Sequence, residues 1–385
     1  MARTPVGSFM GALSTVSAPK LGSVAIKGAL ERAGVRPDQV CETILGCVLP
    51  AGVGQAPARQ ASIGAGIPES TPALTINKVC GSGMKAVMLG VQAILTGDSD
   101  VVVAGGMENM SQSPHLLKGA RIGFKMGHQE LIDSMVFDGL WDPYNDQHMG
   151  NCAELCAKER NFSRQEQDRY AIESFRRAQA TQKSGKFAAE IVGVEIKGRK
   201  GEVTTVEDDE GPSKVQFDKI PQLRPAFQKD GTVTAANASS INDGAAVLIL
   251  ASGDKVKELG LKPIGKIVST AHHAQAPEWF TTAPVDAMKK AAERANWSMD
   301  SIDRFEVNEA FAVVALAAQK ELNLPSDRLN ARGGAIALGH PIGASGARIL
   351  VTLLAELQSS ETRKGMASIC IGGGEATAIC IERMS

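Results

Sequence analysis

Short apolar runs alternate with amphipathic stretches along most of this chain. Residues 23–34 (SVAIKGALERAG) and 283–295 (APVDAMKKAAERA) carry apolar residues at helical spacing, so each predicts a helix. The runs at 101–106 (VVVAGG) and 368–374 (SICIGGG) predict buried strands, because they are continuously apolar and end in glycines. Alternation of helices with buried strands is typical of an α/β protein.

The same pattern occurs twice. ERAGVRPDQV at 31–40 matches ERANWSMDSI at 293–302, an offset of 262 residues. Ser82 and Ser345 each begin a Ser-Gly pair that opens an apolar helix, and they lie 263 residues apart. A nearly constant offset predicts an internal duplication, whereas two unrelated glycine-rich turns would explain the glycines but not the offset. We therefore expect two similar α/β units that pack as a pseudo-symmetric pair.

A segment of different composition separates the two copies. It contains a charged helix predicted at 163–185, which a Ser163–Glu166 capping box begins, and a polar hairpin predicted at 191–212. AAVLILASGD at 245–254 then predicts a strand that returns to the first unit. An insertion of this size commonly covers a site. The expected domains are an N-terminal unit of residues 1–110 with 242–263, a loop domain of residues 111–241, and a C-terminal unit of residues 264–385.

The amino-acid composition limits the kinds of partner that this protein is expected to bind. The 385 residues are 43% apolar and 22% charged, which excludes a disordered scaffold. Lys and Arg number 41 against 42 Asp and Glu, so no charge excess favours nucleic acid or a membrane surface. The longest apolar runs, such as 310–318, reach about nine residues, short of the roughly 20 that a membrane span needs. We expect a soluble protein with neither kind of partner.

The cysteines indicate a reducing compartment. Seven cysteines form an odd number, and no Cys-x-x-Cys occurs, so a disulfide framework is not expected. His148, Cys152 and Cys156 share a helical spacing, but no fourth ligand lies near them, and we expect no metal site. The expected location is the cytoplasm, or the mitochondrial matrix if a transit peptide precedes the given start.

Cys80 is the first candidate for chemistry. In INKVCGSGMKA it lies between a short strand and a helix, where the helix dipole favours a thiolate and free N–H groups can hold an oxyanion. Alternatively, it is a small buried apolar residue. His340 occupies the equivalent position of the second copy, so the two loops would bring a nucleophile and its base together.

Three more candidates follow strands of the second copy. Cys370 ends the last glycine-terminated strand, and the backbone amide of Gly372 after it could face a ligand. Asn308 lies where a strand passes into the helix AFAVVALAAQKEL, so by itself it is most simply a helix cap. Polar groups at the ends of several strands in a duplicated α/β protein indicate one shared site.

These motifs resemble those of the thiolase family. The resemblance rests on VCGSGMKA around Cys80, NEAF at 308–311, GHPIGASG at 339–346 and CIGGG at 370–374. GGMENMS, HMGNCAE and DGTVTAANASSINDGAA are similar as well, so the likeness runs through nearly the whole chain in order. The related ketosynthases would have a second His in place of Asn308 and lack the final Cys motif. The resemblance implies a layered α-β-α-β-α arrangement of two thiolase-type units with an inserted loop domain.

The resemblance also implies roles for these residues. Cys80 would carry the acyl group, His340 would take its proton, and Cys370 would move the proton of the second acetyl-CoA. His340 and a water on Asn308 would form one oxyanion hole, and the N–H groups of Cys80 and Gly372 the other. Contacts to CoA would come from six further residues: Leu140, His148, Met149, Ser239, Ala310 and Phe311. CoA is then a substrate, and no cofactor is expected.

The expected reaction is reversible condensation of two acetyl-CoA to acetoacetyl-CoA and CoA. Thiolysis of longer 3-ketoacyl-CoA is the alternative. A third is an inactive homologue with an assembly role, because the chain begins almost at Arg3-Thr4-Pro5, where family members have an apolar first strand. The family forms homo-oligomers, and GGMENMSQSP leads into the region used for tetramer contact, so we expect a tetramer.

The phosphates of CoA would need basic side chains from the inserted segment. Lys197, Arg199 and Lys200 are candidates, and they could equally belong to a solvated hairpin.

Overall fold

Five layers form the protein, in the order helices, sheet, helices, sheet, helices, which confirms the predicted α/β layering. The computed structural model describes residues 1–198 and 200–384. The first unit contains β1 (Ala2–Arg3), β2 (Gly7–Ser8), α1 (Ala18–Ala33), β3 (Glu42–Gly46), α2 (Pro57–Gly64), β4 (Ala73–Ile76), α3 (Ser82–Thr96) and β5 (Val101–Asn109).

Two-stranded ribbons and helices make up the inserted segment. These elements are β6 (His115–Leu116), β7 (Ile132–Asp133), β8 (Trp141–Asp142), β9 (Gln147–His148), α4 (Met149–Glu159), α5 (Arg164–Lys183), β10 (Val194–Lys197), β11 (Val203–Val206) and α6 (Gly211–Lys214). The predicted hairpin is confirmed as β10 and β11, and the Ser163–Glu166 capping box begins α5 as predicted.

The chain then returns to the first sheet and forms the second unit. The remaining elements are β12 (Asn242–Ala251), α7 (Gly253–Glu258), β13 (Gly265–Ala274), α8 (Ala283–Ala295), β14 (Arg304–Val307), α9 (Ala312–Leu322), α10 (Ala335–Leu338), α11 (Ile342–Ser359), β15 (Lys364–Ile371) and β16 (Glu375–Arg383). β12 is the predicted returning strand, and it pairs antiparallel with β5.

The two sheets have matching topologies. Strand order is β1-β12-β5-β3-β4 in the first sheet and β13-β16-β15-β14 in the second. In the first sheet β5 pairs parallel with β3 and antiparallel with β12. In the second sheet β15 pairs parallel with β14 and antiparallel with β16. α1 and α2 cover the outer face of the first sheet, and α8 and α9 that of the second, while α3 and α11 fill the middle layer. The internal duplication is therefore present in the fold.

Strand alternation divides the core among these layers. Along β5, Val101 and Val103 face the cluster beneath α1, whereas Val102 and Ala104 face the cluster around α3 and α11. Because successive side chains of a strand point to opposite faces, a continuously apolar strand serves two helical layers at once.

Glycines bring the two middle helices into close contact. A Cβ on Gly83 would lie 2.9 Å from the backbone N of Ala347, and one on Gly346 would lie 2.5 Å from the backbone N of Met84. These distances leave no room for a side chain, so the Ser-Gly pairs identified by the repeat are where α3 and α11 cross. The crossing places the loops before both helices side by side.

The first strand is present but short. Ala2 and Arg3 pair with Val247 and Ala246 of β12, in the position that ten-residue β13 occupies beside β16. Ala2 and Arg3 therefore supply a short first strand to this sheet.

One stretch of the described residues, Val79–Thr96, is long and apolar enough to cross a membrane, with a mean hydropathy of 1.4. It contains α3, which packs against β3, β5 and α11 between the two sheets.

Candidate active site

A strained turn holds Cys80 between β4 and α3. Val79 has a φ of 44°, a left-handed conformation that is unfavourable for a β-branched residue. Asn77 Oδ1 accepts from Val79 N at 2.9 Å, and Ser82 Oγ accepts from Lys78 N at 2.8 Å and donates to Val79 O at 2.6 Å. These bonds fix the turn, so the Cys80 thiol is held at the start of α3.

The thiol of Cys80 is protonated at neutral pH. Burial raises its pKa to about 11, although the backbone N–H groups of Gly372 and of Cys80 itself lower it. Burial therefore outweighs the effect of the helix terminus on the pKa of Cys80. A nearby base is needed to remove the proton. The contact with Gly372 also joins the loops of the two units.

His340 has a ring nitrogen that is free to accept this proton. Its backbone N–H donates to Asn242 Oδ1 at 3.0 Å, and its ring Nδ1 lies 2.6 Å from Ser345 Oγ. Ser345 Oγ also donates to Pro341 O at 2.9 Å, which uses its only proton, so Nδ1 carries the imidazole proton and donates to Ser345. Nε2 is buried without a hydrogen-bond partner among the described residues. Burial, together with the Arg348 charge, lowers the pKa of His340 to about 3, so the imidazole is neutral.

Cys370 lies close to Cys80 at the end of β15. Burial raises the pKa of Cys370 well above its usual value, and the nearby Cys80 raises it further. Gly372 follows in the turn between β15 and β16, where Gly373 and Gly374 have φ values of 88° and 83°. Lys78 and Glu375 form an ion pair between this turn and the Cys80 turn.

Asn308 follows β14 and is fully buried. Its backbone N–H donates to Ser368 O at 3.0 Å, but neither atom of its side-chain amide has a partner within the described part of the chain. α9 begins only at Ala312, with Phe311 at the N-cap, so the helix-cap alternative for Asn308 is wrong. A buried amide without a protein partner indicates that water or a ligand completes it.

The six predicted CoA contacts lie around these groups. Ser239 N donates to Ala310 O at 2.9 Å, and Phe311 pairs with Ala238. Met149 is 3.6 Å from where a Cβ on Gly372 would lie, and Leu140 packs in the same apolar cluster as Cys80.

Phe227 completes an aromatic wall that the sequence reasoning did not identify. Its ring stacks on His148 at 4.8 Å, and it meets the Phe311 ring edge-on at 6.0 Å. His148 Nδ1 accepts from Gly150 N, so the other ring nitrogen carries the proton and can donate to a ligand. No local pattern around Phe227 distinguishes it from a core residue.

Glu108 was also missed, and it connects the two units. It is fully buried and accepts from Val48 N, Leu49 N and Gly343 N at 2.8–3.1 Å. Burial raises its pKa to about 7, while these donors lower it. Gly343 lies three residues after His340, so Glu108 links the His340 loop to the first sheet. A lone Glu at the end of an apolar strand is the signal that could have identified it.

The candidate phosphate-binding lysines lie elsewhere. Lys197 and Lys200 are exposed on the β10–β11 hairpin, and Arg199 lies outside the described residues. The hairpin belongs to the cluster beneath α1 on the outer face of the first sheet. Their position agrees with the solvated-hairpin alternative. The part of the chain described here contains no group of His, Cys, Asp or Glu side chains that could hold a metal ion.

Comparison with known proteins agrees with the geometry. Residues 1–254 match the thiolase N-terminal domain, and residues 261–383 match the thiolase C-terminal domain. The acetyl-CoA acetyltransferase of Cupriavidus necator is 54% identical over 383 residues, covering 99% of this chain and 98% of that protein.

Two solved structures share the fold over the full length of the chain. The crystal structure of the Bacillus anthracis acetyl-CoA acetyltransferase gives a TM-score of 0.97 at 41% identity and is 97% covered. The Acat5 thiolase from Ascaris suum, in complex with coenzyme A, gives 0.95 at 46% identity and is 98% covered. This chain belongs to the thiolase family.

Proposed function

We propose that this protein is an acetyl-CoA acetyltransferase, which joins two acetyl-CoA into acetoacetyl-CoA and CoA and catalyses the reverse thiolysis. The observation that carries the proposal is the Cys80 thiol, which meets the Gly372 N–H of the other unit. Two of the named relatives are acetyl-CoA acetyltransferases, and the Acat5 thiolase structure contains coenzyme A. CoA and acyl-CoA are the substrates, and the reaction uses no further cofactor.

The first half-reaction transfers the acetyl group to Cys80. His340 Nε2 takes the thiol proton as Sγ attacks the thioester carbonyl, and the N–H groups of Cys80 and Gly372 stabilise the oxyanion. The C–S bond of acetyl-CoA then breaks. Cys370 gives its proton to the departing CoA thiolate, because its raised pKa suits a general acid. This leaves acetyl-Cys80, an imidazolium at His340 and a thiolate at Cys370.

The second half-reaction forms the carbon–carbon bond. The Cys370 thiolate removes the α-proton of a second acetyl-CoA, and the enolate oxygen is stabilised by the His340 imidazolium and by a water on Asn308. The enolate carbon attacks the acetyl carbonyl on Cys80. Collapse of that intermediate releases acetoacetyl-CoA, and the Cys80 thiolate regains its proton from His340. All three groups return to their resting protonation states.

Cleavage assays with two substrates test this function. We expect CoA-dependent cleavage of acetoacetyl-CoA to exceed that of a long-chain 3-ketoacyl-CoA, and to be lost in Cys80→Ala. Acetyl-CoA should also add one acetyl group to the wild-type mass and none to Cys80→Ala. The matched control is Cys41→Ala, which removes a half-buried thiol outside the site.

The outcomes separate the alternatives. Faster cleavage of the long-chain substrate would assign the protein to longer-chain thiolysis. Turnover that persists in Cys80→Ala would exclude Cys80 as the nucleophile. A folded wild type without turnover would favour the inactive homologue with an assembly role.

We also propose that the protein is a homotetramer. The segment between β6 and β7 exposes large apolar side chains, with Ile122 92% and Leu131 65% exposed. Apolar residues clustered on one exposed segment indicate a protein contact. Light scattering should give the mass of a tetramer for the wild type and a smaller species for Ile122→Ser/Leu131→Ser. A wild-type dimer would contradict this proposal.

A further inference from the structure

Arg348 is a fully buried arginine whose guanidinium has no hydrogen bond to any described residue. Two other buried arginines show the usual arrangement: Arg3 donates to Glu190 at 2.8 Å, and Arg332 donates to Glu190 at 2.9 Å, each with further partners. All three guanidinium nitrogens of Arg348 lack such partners. Native proteins rarely leave a buried charge in this state, so something outside the protein must complete it.

The Glu306 carboxylate does not supply the hydrogen bond that Arg348 lacks. Arg348 Nη1 and Glu306 Oε2 are 3.8 Å apart, too far for a hydrogen bond, and Glu306 Oε2 has no other partner in the described chain. Both side chains are only 2% exposed. Two buried polar atoms at this distance, both without other partners, can share a water molecule.

The same region continues to the candidate active site. Glu306 and Asn308 flank Val307, so they leave β14 on the same side, whereas Phe305 and Val307 face the outer helices. α11, which carries Arg348, packs on that side of β14. Polar atoms without a protein partner are therefore present on one side of β14, from the Arg348 guanidinium and Glu306 Oε2 to the Asn308 amide.

We propose that Arg348, Glu306 and Asn308 enclose a chain of ordered water molecules that ends at the Asn308 amide. Arg348 can only donate, so each water bound to it must direct its own protons away from the guanidinium. Those protons reach Glu306 and Asn308 Oδ1. Asn308 Nδ2 is thereby turned toward the reacting groups, where it can hold the water that stabilises the enolate oxygen. Arg348 is in this sense a positioning residue, and this last role rests on the proposed function.

A crystal structure of the wild-type protein that resolves ordered water is the direct test. We expect water within hydrogen-bonding distance of the Arg348 guanidinium, and a further water or the same one on Glu306 and Asn308. A guanidinium that hydrogen-bonds Glu306 directly, with no water between them, would overturn the proposal. Because this readout needs no turnover, water found in an inactive wild type would support the site and contradict only the proposed function.

Variants test the positioning role. Arg348→Met should lower kcat for condensation by about tenfold, less than the 10²–10³ lost with a whole oxyanion donor. The KM for acetyl-CoA and the acetylation of Cys80 should change less, since both precede the enolate. Arg348→Lys, which keeps charge and donors, should recover part of kcat. If Arg348→Met does not fold, Glu306→Gln provides the same comparison with little change in shape.

The matched control is Arg304→Met on the same strand. Arg304 leaves the same side of β14 as Glu306, but it is paired with Glu356 at 3.1 Å, so its loss removes an ion pair from this side and leaves the unpartnered Arg348 guanidinium in place. Equal losses of kcat in the Arg348 and Arg304 variants would overturn the positioning role, because a general loss of stability would then explain both.

Discussion

The hydroxyl of Ser345 determines which nitrogen of His340 can accept a proton. Ser345 gives its own proton to Pro341 O, so it must accept from Nδ1, and Nε2 keeps a free lone pair. A histidine without this contact would exchange between two tautomers, of which only one can act as base toward Cys80. Ser82, the equivalent residue of the first unit, instead holds the backbone at Lys78 and Val79, directly before Cys80.

Ser345→Ala should therefore slow the reaction without weakening substrate binding. We expect kcat to fall by about tenfold, part of the 10²–10⁴ that a general base provides, while KM for acetyl-CoA stays within about twofold. Steady-state kinetics measure both. Ser269→Ala is the matched control, since Ser269 also donates to a backbone oxygen, Ala291 O, but in an outer layer. A similar kcat loss in the control would contradict the tautomer argument.

At the residue scale, the sequence allowed the reacting side chains to be predicted but not their ionisation. Cys80, His340 and Cys370 were found from strand ends and glycine turns, and the structure brings their loops together. The pKa of Cys80 could not be predicted because burial depends on contacts across both units, which no local pattern contains. Phe227 and Arg348 were missed for the same reason: their partners are distant in the chain.

At the element scale, the crossing of α3 and α11 sets the distance between the two catalytic loops. Gly346→Ala should be strongly destabilising, because the new Cβ would lie 2.5 Å from a backbone atom of Met84 that cannot move aside. We expect a loss of about 1–3 kcal/mol in the free energy of unfolding, measured by urea denaturation. Turnover should fall too, since separating the helices separates Cys80 from His340.

Gly253→Ala provides the control for that substitution. Nothing lies within 4 Å of a Cβ at Gly253 on exposed α7, so alanine there should be neutral or stabilising by up to about 1 kcal/mol. Equal destabilisation by both alanines would contradict the role given to the helix crossing.

Elements with a complete local pattern were predicted well. The helix at 283–295 matches α8 residue for residue, and the capping box sets the start of α5. α1 begins five residues before its predicted start at Ser23, because Pro19 is compatible with a first helical turn. The strand at the N-terminus and the role of Asn308 depended on pairing partners far away in the chain, so local periodicity could not determine them.

At the scale of the whole molecule, buried thiols make stability depend on alkaline pH. Burial raises the pKa of Cys156 and of Cys380 to about 11, and that of Cys152 to about 12. In the unfolded chain these thiols ionise near pH 8.5, so above that pH the unfolded state binds fewer protons than the folded state. The stability they contribute is complete below the unfolded pKa and is lost as pH rises toward the folded pKa.

The melting temperature should therefore fall steadily between about pH 8 and about pH 10, with each thiol contributing on the order of 1 kcal/mol per pH unit. Calorimetry across this range measures the slope. Cys156→Ala should flatten it, whereas Cys41→Ala, at a half-buried position, should leave it closer to the wild type. A slope that Cys156→Ala leaves unchanged would assign the alkaline loss to other groups.

Because both units belong to one chain, their two catalytic loops can carry different residues. Two separate single-unit chains related by a two-fold axis would form the same five layers, but symmetry would place the same residue at the end of both central helices. Such a dimer could have two thiols or two imidazoles facing each other, never one of each. Joining the copies in one chain removes that restriction. One loop can then specialise as nucleophile and the other as base, while the glycine crossing that aligns them is kept in both.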